Sequence, residues 1–324
     1  MVQTPAGVPS DFERPPKALN HAGRVRTVGV EIEFGGLAGA QAARLIQRRF
    51  GGTIRELDSN AWQIEQTSLG DFTVELDIWF AHPEPRDTTD EVDIAFAHLA
   101  GQAASLVVPY EIITPPIPWD RLTEIDGLLL ECAHEGARGT DASVFYAFGL
   151  HLNPEVPDFE PATLTSILKA YALLGPWLWN EINPDTTRRL LGFLTPFDDV
   201  YVRQLADTAY WPTLPSLIDD YIAANPSRHR DLDALPLFAF LDNDRVTASL
   251  PRQKMNRRPT FHYRLPDSRI GQAGWSLAPD WNRWVAVEKL AADRPRLDAL
   301  CRKYQDCPEG RDQWAGIVAA LAMA

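Results

Sequence analysis

The sequence predicts an α+β fold with a largely antiparallel sheet. Segments in which apolar residues occupy every second position, as in strands with one buried face, recur along the chain between segments with helical spacing. Two of these predicted strands follow each other directly within residues 60–80, which favours antiparallel neighbours over the strand–helix–strand units of a parallel sheet. The chain has no internal repeats or low-complexity runs, and we therefore expect one large domain.

The first half of the chain holds most of the predicted strands. They comprise residues 29–34, a segment around Trp62 and Ile64, and residues 72–78, 109–114 and 146–152. Helical spacing of apolar residues predicts helices over residues 37–50, 88–106 and 122–132. Local signals support these elements: Gly51-Gly52 ends the first helix, Thr88-Thr89-Asp90 caps the second, and Pro115-Pro116 stops the fourth strand.

The second half of the chain is predicted to be mainly helical. Residues 160–250 form a helical subregion rich in proline and tryptophan, followed by a late strand at residues 259–265 and helices near 280–293 and 310–323. Residues 1–24 contain four of the 26 prolines and little periodic apolar signal. We therefore expect a flexible N-terminal arm at residues 1–24 and a single domain at residues 25–324.

Composition narrows the classes of function. The formal net charge is −13, which argues against an extended nucleic-acid surface. The cysteines Cys132, Cys301 and Cys307 form no Cys-x-x-Cys pair, which argues against a structural zinc site and fits a reducing compartment. No apolar run approaches the roughly 18 residues of a membrane span, and the N-terminus lacks the pattern of a signal peptide. We expect a cytoplasmic protein without nucleic-acid or membrane partners.

The alternation leaves a distinctive set of polar residues on one face of the predicted sheet. The first strand reads Gly-Val-Glu-Ile-Glu-Phe, so Glu31 and Glu33 point the same way, with Cα atoms roughly 6.6 Å apart. The corresponding positions of the other strands carry carboxylates, imidazoles, an amide and a guanidinium. They are Thr73, Glu75 and Asp77 in one strand, Glu111 in the next, Gly149, His151 and Asn153 in the third, and Thr260, His262 and Arg264 in the last.

Two interpretations of this face are open. One is an ordinary solvated face, but such a face usually carries lysine, and none occurs at these positions. The other is a cation site, because carboxylates on one concave face repel each other unless a cation lies among them. Mg²⁺ prefers carboxylates and substrate phosphates, and histidine can join such a site with Mn²⁺. We favour a nucleotide site with two or three metal ions.

Several familiar motifs are absent from the sequence. It contains no P-loop, no Gly-x-Ser-x-Gly and no His-Glu-x-x-His. Phosphate charge would then be met by metal and by arginine. Arg264 is the main candidate, because a guanidinium binds phosphate or carboxylate through two parallel hydrogen bonds. The cationic run Arg228-His229-Arg230 is expected to be a solvated loop, and the alternative is contact with an anionic substrate.

Four segments together resemble the amidoligase family, which lies within the carboxylate–amine ligase superfamily that includes glutamine synthetase and glutamate–cysteine ligase. They are Gly-Val-Glu-Ile-Glu-Phe at 29–34, Tyr-Glu-Ile-Ile-Thr-Pro-Pro at 110–116, Gly-Leu-His-Leu-Asn at 149–153 and Phe-His-Tyr-Arg-Leu-Pro at 261–266. The order and joint presence of the segments carry the resemblance. It extends from about residue 25 to 290, and so covers nearly the whole chain except the arm.

The resemblance implies both a fold and an activity. In that superfamily a curved antiparallel sheet forms a funnel with helices on its outer side, and glutamates on the inner face hold Mg²⁺ or Mn²⁺ around ATP. The implied activity is that of an ATP-dependent carboxylate–amine ligase, which forms an amide or peptide bond through an acyl phosphate. The expected substrates are a small-molecule or peptide carboxylate and an amine, drawn from amino acids, small peptides or a protein tail.

The resemblance also implies roles for individual residues. The metal ligands would be Glu31, Glu33, Glu75, Glu111 and His151. Glu33 and Arg264 would act in catalysis, and the nucleotide would contact Arg264, His151 and Asn153. Asp58-Ser59 resembles an Asp-Ser that follows the first helix in relatives.

Two positions depart from the family pattern. Asn153 stands where the family often has a second histidine, and His262 stands where the late strand usually has a glutamate. Both departures bear on the number of metal ions. Two other classes of function stay open: a metal-dependent hydrolase of amides or phosphoesters, in which the carboxylates activate water, and a non-catalytic relative that keeps the sheet as a binding module.

Overall fold

The structure, a computed structural model, describes residues 11–77, 108–143, 146–190, 192, 194–251, 253, 255–307 and 311–322. The helix predicted over residues 88–106 lies outside this part of the chain. The described strands are β1 (Thr27–Phe34), β2 (Thr53–Asp58), β3 (Ala61–Thr67), β4 (Gly70–Leu76), β5 (Tyr110–Ile113), β6 (Ile117–Pro118), β7 (Leu150–Pro154), β8 (Leu232–Asp233) and β9 (His262–Tyr263).

The described helices cluster in the second half of the chain, as the sequence predicts. They are α1 (Gly39–Phe50), α2 (Leu122–His134), α3 (Pro161–Ile182), α4 (Thr186–Leu190), α5 (Asp199–Leu205), α6 (Leu214–Ala224), α7 (Leu235–Leu241), α8 (Asn243–Ser249), α9 (Ala278–Ala292), α10 (Arg294–Gln305) and α11 (Arg311–Ala322).

All strands belong to one antiparallel sheet. Its order is β2-β3-β4-β5-β1-β7-β9-β8, with β6 paired to β1 beside this path. Every strand pair in the sheet is antiparallel, and the two ends of the order do not meet, so the sheet is open. This arrangement confirms the predicted α+β class and the predicted antiparallel pairing. It also places β1, which carries Glu31 and Glu33, at the centre.

Apolar residues of the central strands form the core on one face of the sheet. Val30, Ile32 and Phe34 of β1 are fully buried, as their alternation with glutamate predicts. Helix α1 packs over this face, and the ring of its last residue, Phe50, stacks on Phe72 of β4 at 5.4 Å between centroids. Each large apolar side chain buried in this way stabilises the fold by about 1.5–3 kcal/mol. The glutamates of the same strands consequently lie on the opposite face.

A second helical layer supports the late strand. Helix α3 packs against α9, α10 and α11, and Trp284 of α9 lies 5.6 Å from the ring of Tyr263 in β9. The indole N–H of Trp284 donates to Glu288 at 2.7 Å, and Glu288 also pairs with the buried Arg26. These contacts fix β9 beside β7, which brings His262 to the glutamate face.

Several elements differ from the prediction. The strand predicted over residues 146–152 begins only at residue 150, as Leu150–Pro154, and the short strands β6 and β8 were not predicted. The late strand, predicted over residues 259–265, is a strand only at His262–Tyr263, because Pro259 and Pro266 flank it and cannot donate backbone hydrogen bonds. Strand β2 and helix α10 were not predicted. The side chains of β2 are mostly exposed, so the strand lacks the apolar alternation that would reveal it.

The part of the N-terminal arm that the structure describes lies against helix α9. The indole N–H of Trp281 donates to the backbone oxygen of Glu13 at 2.8 Å, and the backbone N–H of Glu13 donates to Asn282 at 2.8 Å. The division into an arm and one domain stays a prediction. Among the residues that the structure describes, no helix combines the length and the apolar character needed to cross a membrane.

Candidate metal centre

Three glutamates lie side by side across neighbouring strands. The register places Glu33 of β1 opposite Glu111 of β5, and Glu111 opposite Glu75 of β4. Residues directly opposite in an antiparallel pair have Cβ atoms about 4.5–5.5 Å apart, so three carboxylates share one row of the sheet. On the other side of Glu33, the backbone N–H of Gly149 donates to its Oε2 at 2.8 Å.

A second row lies two residues away along β1. Glu31 is opposite His151 of β7, and Nδ1 of His151 lies 3.2 Å from Oε2 of Glu31. The side-chain amide of Asn153 donates to Oε1 of Glu31 at 2.8 Å. The ring of His262 packs edge-on against that of His151, with 4.9 Å between centroids. Two imidazoles and an amide therefore border the carboxylates.

Two overlapping groups of donor atoms have the spacing of metal ligands. One group is Glu33, Glu111 and His151, and the other is Glu31, His151 and His262. Within each group, one ligand atom from each residue lies within 4.8 Å of the others. Two carboxylates with one imidazole suit Mg²⁺ or, better, Mn²⁺, so the residues of the first group fit the predicted ion.

The glutamates of the first group are poised to ionise when a cation is present. Burial, together with the charge of Asp77, raises the pKa of Glu33 to about 8. Burial and the charges of Glu31 and Glu33 raise the pKa of Glu111 well above its usual range. A nearby cation favours the ionised form of a carboxyl group. Binding of a divalent ion would therefore favour the ionised form of both glutamates at neutral pH.

The two histidines are held in the form that binds metal. Burial lowers the pKa of His151 to about 4, although its hydrogen bond to Glu31 acts in the opposite direction. Burial also lowers the pKa of His262 well below its usual value. Both rings are therefore neutral at pH 7, and a neutral imidazole offers a lone pair to a metal ion.

Glu31 differs from the other glutamates because a guanidinium lies beside it. Nη2 of Arg258 is 3.2 Å from Oε1 of Glu31. Burial opposes ionisation of Glu31, but His262, His151 and Arg258 together hold its pKa well below the usual value. The guanidinium of Arg258 thus favours the ionised form of Glu31 without any metal.

Further guanidinium groups, those of Arg188 and Arg264, lie near Glu33. Arg188 is buried and donates to the backbone oxygen of Arg264 at 2.8 Å and to Asp267 at 2.7 Å. Arg264 donates to the backbone oxygen of Arg228, while its Nε has no hydrogen-bond partner among the described residues. The charges of Arg188 and Arg264 act against the rise in the pKa of Glu33. These guanidinium groups place positive charge beside the carboxylates, and a guanidinium can bind phosphate or a substrate carboxylate.

Comparison with known families matches residues 24–286 to the family described as "Putative amidoligase enzyme". The chain belongs to the amidoligase family. The matched range contains β1–β9, and with them each site residue named above. No curated protein and no solved structure matches the chain.

The fold of this amidoligase family member brings together three of the predicted metal ligands: Glu33, Glu111 and His151. Glu75 lies in their row by register, and Glu31 lies in the adjacent one. The ligand roles of all five residues stay predictions. Asp58 lies at the exposed end of β2, where it accepts the backbone N–H of Asn60 at 2.7 Å, and its role is likewise a prediction.

The two predicted nucleotide contacts outside the metal groups are both engaged with the protein. Oδ1 of Asn153 accepts a hydrogen bond from Arg258 at 2.7 Å and lies 2.7 Å from Nδ1 of His262. Arg264 is half-buried in the guanidinium cluster described above. Their contacts with a nucleotide stay predictions.

Two arginines of this family member, the half-buried Arg258 and the buried Arg188, were missed by sequence reasoning. Arg258 precedes the late strand in an irregular segment, and Arg188 lies in the short helix α4. Neither occupies a periodic position, so no alternation marks them. The run Arg228-His229-Arg230, expected to be a solvated loop, is half-buried, and Arg228 pairs with the buried Asp233 at 3.2 Å.

Proposed function

We propose that the chain is an ATP-dependent carboxylate–amine ligase, which joins a carboxylate to an amine through an acyl phosphate. The observation that carries the proposal is the donor group of Glu33, Glu111 and His151 in a member of the amidoligase family. The nearby guanidinium groups of Arg188 and Arg264 support it, because a phosphorylated substrate brings negative charge that must be matched.

We further propose that the sheet is the counterpart of the funnel sheet of glutamine synthetase and glutamate–cysteine ligase. Its antiparallel order supports this assignment. So does the position of the carboxylates on the face opposite helix α1. Substrates would approach from the carboxylate face, since helices cover the other.

Glu33, Glu111 and His151 would hold Mg²⁺ or Mn²⁺, with Glu75 in the same row and Glu31 in the adjacent one. Such an ion neutralises the charge of the ATP phosphates and polarises the phosphoryl group that is transferred. Glu33 would contribute most directly to binding of the ion, because its Oε2 is held in place by a hydrogen bond from the backbone N–H of Gly149. Fixing one oxygen leaves the other to face the ion.

The reaction would proceed in two steps. A substrate carboxylate oxygen attacks the γ-phosphorus of ATP, the bond to the β–γ bridging oxygen breaks, and ADP leaves. The amine nitrogen then attacks the acyl carbon, loses a proton and expels inorganic phosphate. Arg264 would stabilise the negative charge on the phosphoryl group in both steps, and removal of such a contact typically lowers the rate by ~10²–10³.

The substrates would be a small-molecule or peptide carboxylate and an amine, and we expect the reaction to take place in the cytoplasm. The membership of the amidoligase family supports this substrate class. Half-buried glutamates and buried histidines form the site, so an extended chain end or a small molecule fits it better than a folded surface. ATP and a divalent ion complete the expected set.

Calorimetry with ATP and Mg²⁺, followed by trapping of the acyl phosphate, tests the proposal. Hydroxylamine converts an acyl phosphate into a hydroxamate, so a panel of amino acids and small peptides can be screened as carboxylates with ATP present. The proposal expects metal-dependent ATP binding and a hydroxamate from at least one carboxylate. The variant Glu33→Gln should lose the product, whereas Glu56→Gln, on the exposed edge strand β2, should retain it.

Other outcomes would favour the remaining classes of function. Hydrolysis of an amide or phosphoester with metal alone, and without nucleotide binding, would identify a hydrolase. Binding of neither metal nor nucleotide would identify a non-catalytic relative. Unchanged hydroxamate formation by Glu33→Gln would show that the proposed mechanism is wrong.

A further inference from the structure

Both carboxylate oxygens of Glu31 are occupied by protein donors. Oε1 accepts the side-chain amide of Asn153 at 2.8 Å and pairs with Nη2 of Arg258 at 3.2 Å. Oε2 lies 3.2 Å from Nδ1 of His151. Protein donors thus take three of the roughly four lone-pair positions of this carboxylate. Glu31 is therefore placed to orient His151.

Arg258 lies at the centre of the half of the site that contains Glu31 and His262. Besides Glu31, its Nη2 contacts Oδ1 of Asn153 at 2.7 Å and Nδ1 of His262 at 3.0 Å. The side chain is only 20% exposed. Arginine remains protonated at all ordinary pH values, so a permanent positive charge lies among Glu31, Asn153 and His262.

The hydrogen bonds also indicate which ring nitrogens carry protons. Because the amide nitrogen of Asn153 donates to Glu31, its Oδ1 faces Nδ1 of His262 at 2.7 Å and accepts from it. The two protons on Nη2 of Arg258 then go to Oε1 of Glu31 and Oδ1 of Asn153, and its approach to Nδ1 of His262 is a contact without a hydrogen bond. Nδ1 of His151 likewise donates to Glu31. Each ring then keeps its lone pair on Nε2. A carboxylate that fixes a metal-binding histidine in this way is a common outer-shell arrangement.

Charge separates the two halves of the site. Arg258 neutralises Glu31, whereas in the described part of the chain neither Glu33 nor Glu111 forms an ion pair. A divalent ion held by Glu31 and His262 would lie against a guanidinium and be repelled by it. An ion held by Glu33 and Glu111 would meet two carboxylates. Of the guanidinium groups near them, Arg188 is already paired with Asp267 and Arg264 donates to a backbone oxygen.

We propose that the Arg258 guanidinium is the cation of the half of the site that contains Glu31 and His262, so that the site binds a single divalent ion, at Glu33, Glu111 and His151. Glu31 is then a positioning residue that acts through His151. The inference deepens the proposed function, because it assigns the number of metal ions to the same site.

Counting bound Mn²⁺ tests the inference without any use of activity. Equilibrium dialysis and electron paramagnetic resonance of the full chain, with no nucleotide present, should show one Mn²⁺ per chain with an uncoupled six-line spectrum. Removal of the guanidinium in Arg258→Met should admit a second ion close to the first, seen as a stoichiometry of two and a broadened, spin-coupled spectrum. Arg258→Lys, which keeps the charge, and Arg257→Met, at the exposed neighbouring position, should still bind one.

Several results would overturn the inference. Two Mn²⁺ ions in the unaltered chain would show that Arg258 does not replace an ion, and so would a single ion in Arg258→Met. If Arg258→Met does not fold, as judged by circular dichroism, the count in the unaltered chain and in Arg258→Lys decides the question. A ligase that binds two ions would refute this inference alone. A chain that binds one ion but forms no hydroxamate would refute the proposed function alone.

Discussion

Glu33 of β1 lies directly opposite Glu111 of β5, so two half-buried carboxylates lie side by side across one antiparallel strand pair. Like charges in this position destabilise a sheet, and burial raises the pKa of both residues. No gain in folding explains such a pair. The divalent ion proposed above would account for it, because both carboxylates could bind the ion, and the experiments below follow from this relationship and from its surroundings.

Replacement of either glutamate should weaken metal binding. Glu111→Gln keeps the size of the side chain but offers a neutral oxygen, so the Kd for Mn²⁺ should rise by more than the ~10–100-fold that loss of an outer-shell partner costs. Isothermal titration with Mn²⁺ measures the change. Glu56→Gln, on the same sheet but exposed, is the matched control, and equal affinities for both variants would contradict the assignment.

Gly149 should be required for the position of His151. A Cβ atom at residue 149 would lie 2.7 Å from Nε2 of His151 and 3.0 Å from Nη2 of Arg188. Gly149→Ala should therefore displace the imidazole and lower Mn²⁺ affinity by at least ~10-fold, while circular dichroism shows a retained fold. Gly316→Ala is the control, because a Cβ there meets nothing within 4 Å; it should leave affinity unchanged.

Arg264 should affect phosphoryl transfer more than metal binding. Its guanidinium lies near Glu33 but belongs to neither donor group. Arg264→Lys should lower the rate of hydroxamate formation by ~10²–10³, because an ammonium cannot form two parallel hydrogen bonds. The Kd for Mn²⁺ should change much less. Arg44→Lys, exposed on helix α1, should match the unaltered chain, and a full rate in Arg264→Lys would remove Arg264 from the mechanism.

Asp126, a residue outside the site, should make the free energy of unfolding depend on pH. Burial raises the pKa of Asp126 to about 6, although the backbone N–H of Leu277 donates to it at 2.7 Å. Between the pKa of Asp126 in the unfolded chain, near 4, and its pKa of about 6 in the folded chain, the folded chain binds more protons than the unfolded chain. The free energy of unfolding therefore falls as pH rises through this window. The loss reaches at most roughly 3 kcal/mol above pH 6.

Asp126→Asn should remove this dependence, because the amide oxygen still accepts from Leu277 and carries no charge. Urea unfolding in the presence of a chelator should show the variant to be more stable than the unaltered chain by about 1–3 kcal/mol at pH 8, with a smaller difference at pH 5. Asp120→Asn, at a nearby exposed position, should change neither value by more than ~0.5 kcal/mol. A gain of the same size at both pH values would contradict the electrostatic origin.

Much of the sheet and of its acidic face could be predicted from the sequence. Because strand side chains alternate with a period of two, the pattern of β1 alone shows that Glu31 and Glu33 share a face. The same pattern finds Glu111 and His151 and places apolar residues such as Ile32 in the core. It fails for β2, whose side chains are mostly exposed, and for the length of β9, which flanking prolines limit.

The sequence by itself determined which face of each strand carries the glutamates and His151, because that depends only on local alternation. Only the tertiary structure decided which of them meet, since a register shift of two residues keeps the face but changes every partner. It alone decided that Arg258, from an irregular segment, reaches Glu31. Side chains outside periodic elements have no local signal, and their contacts depend on how distant parts of the chain pack.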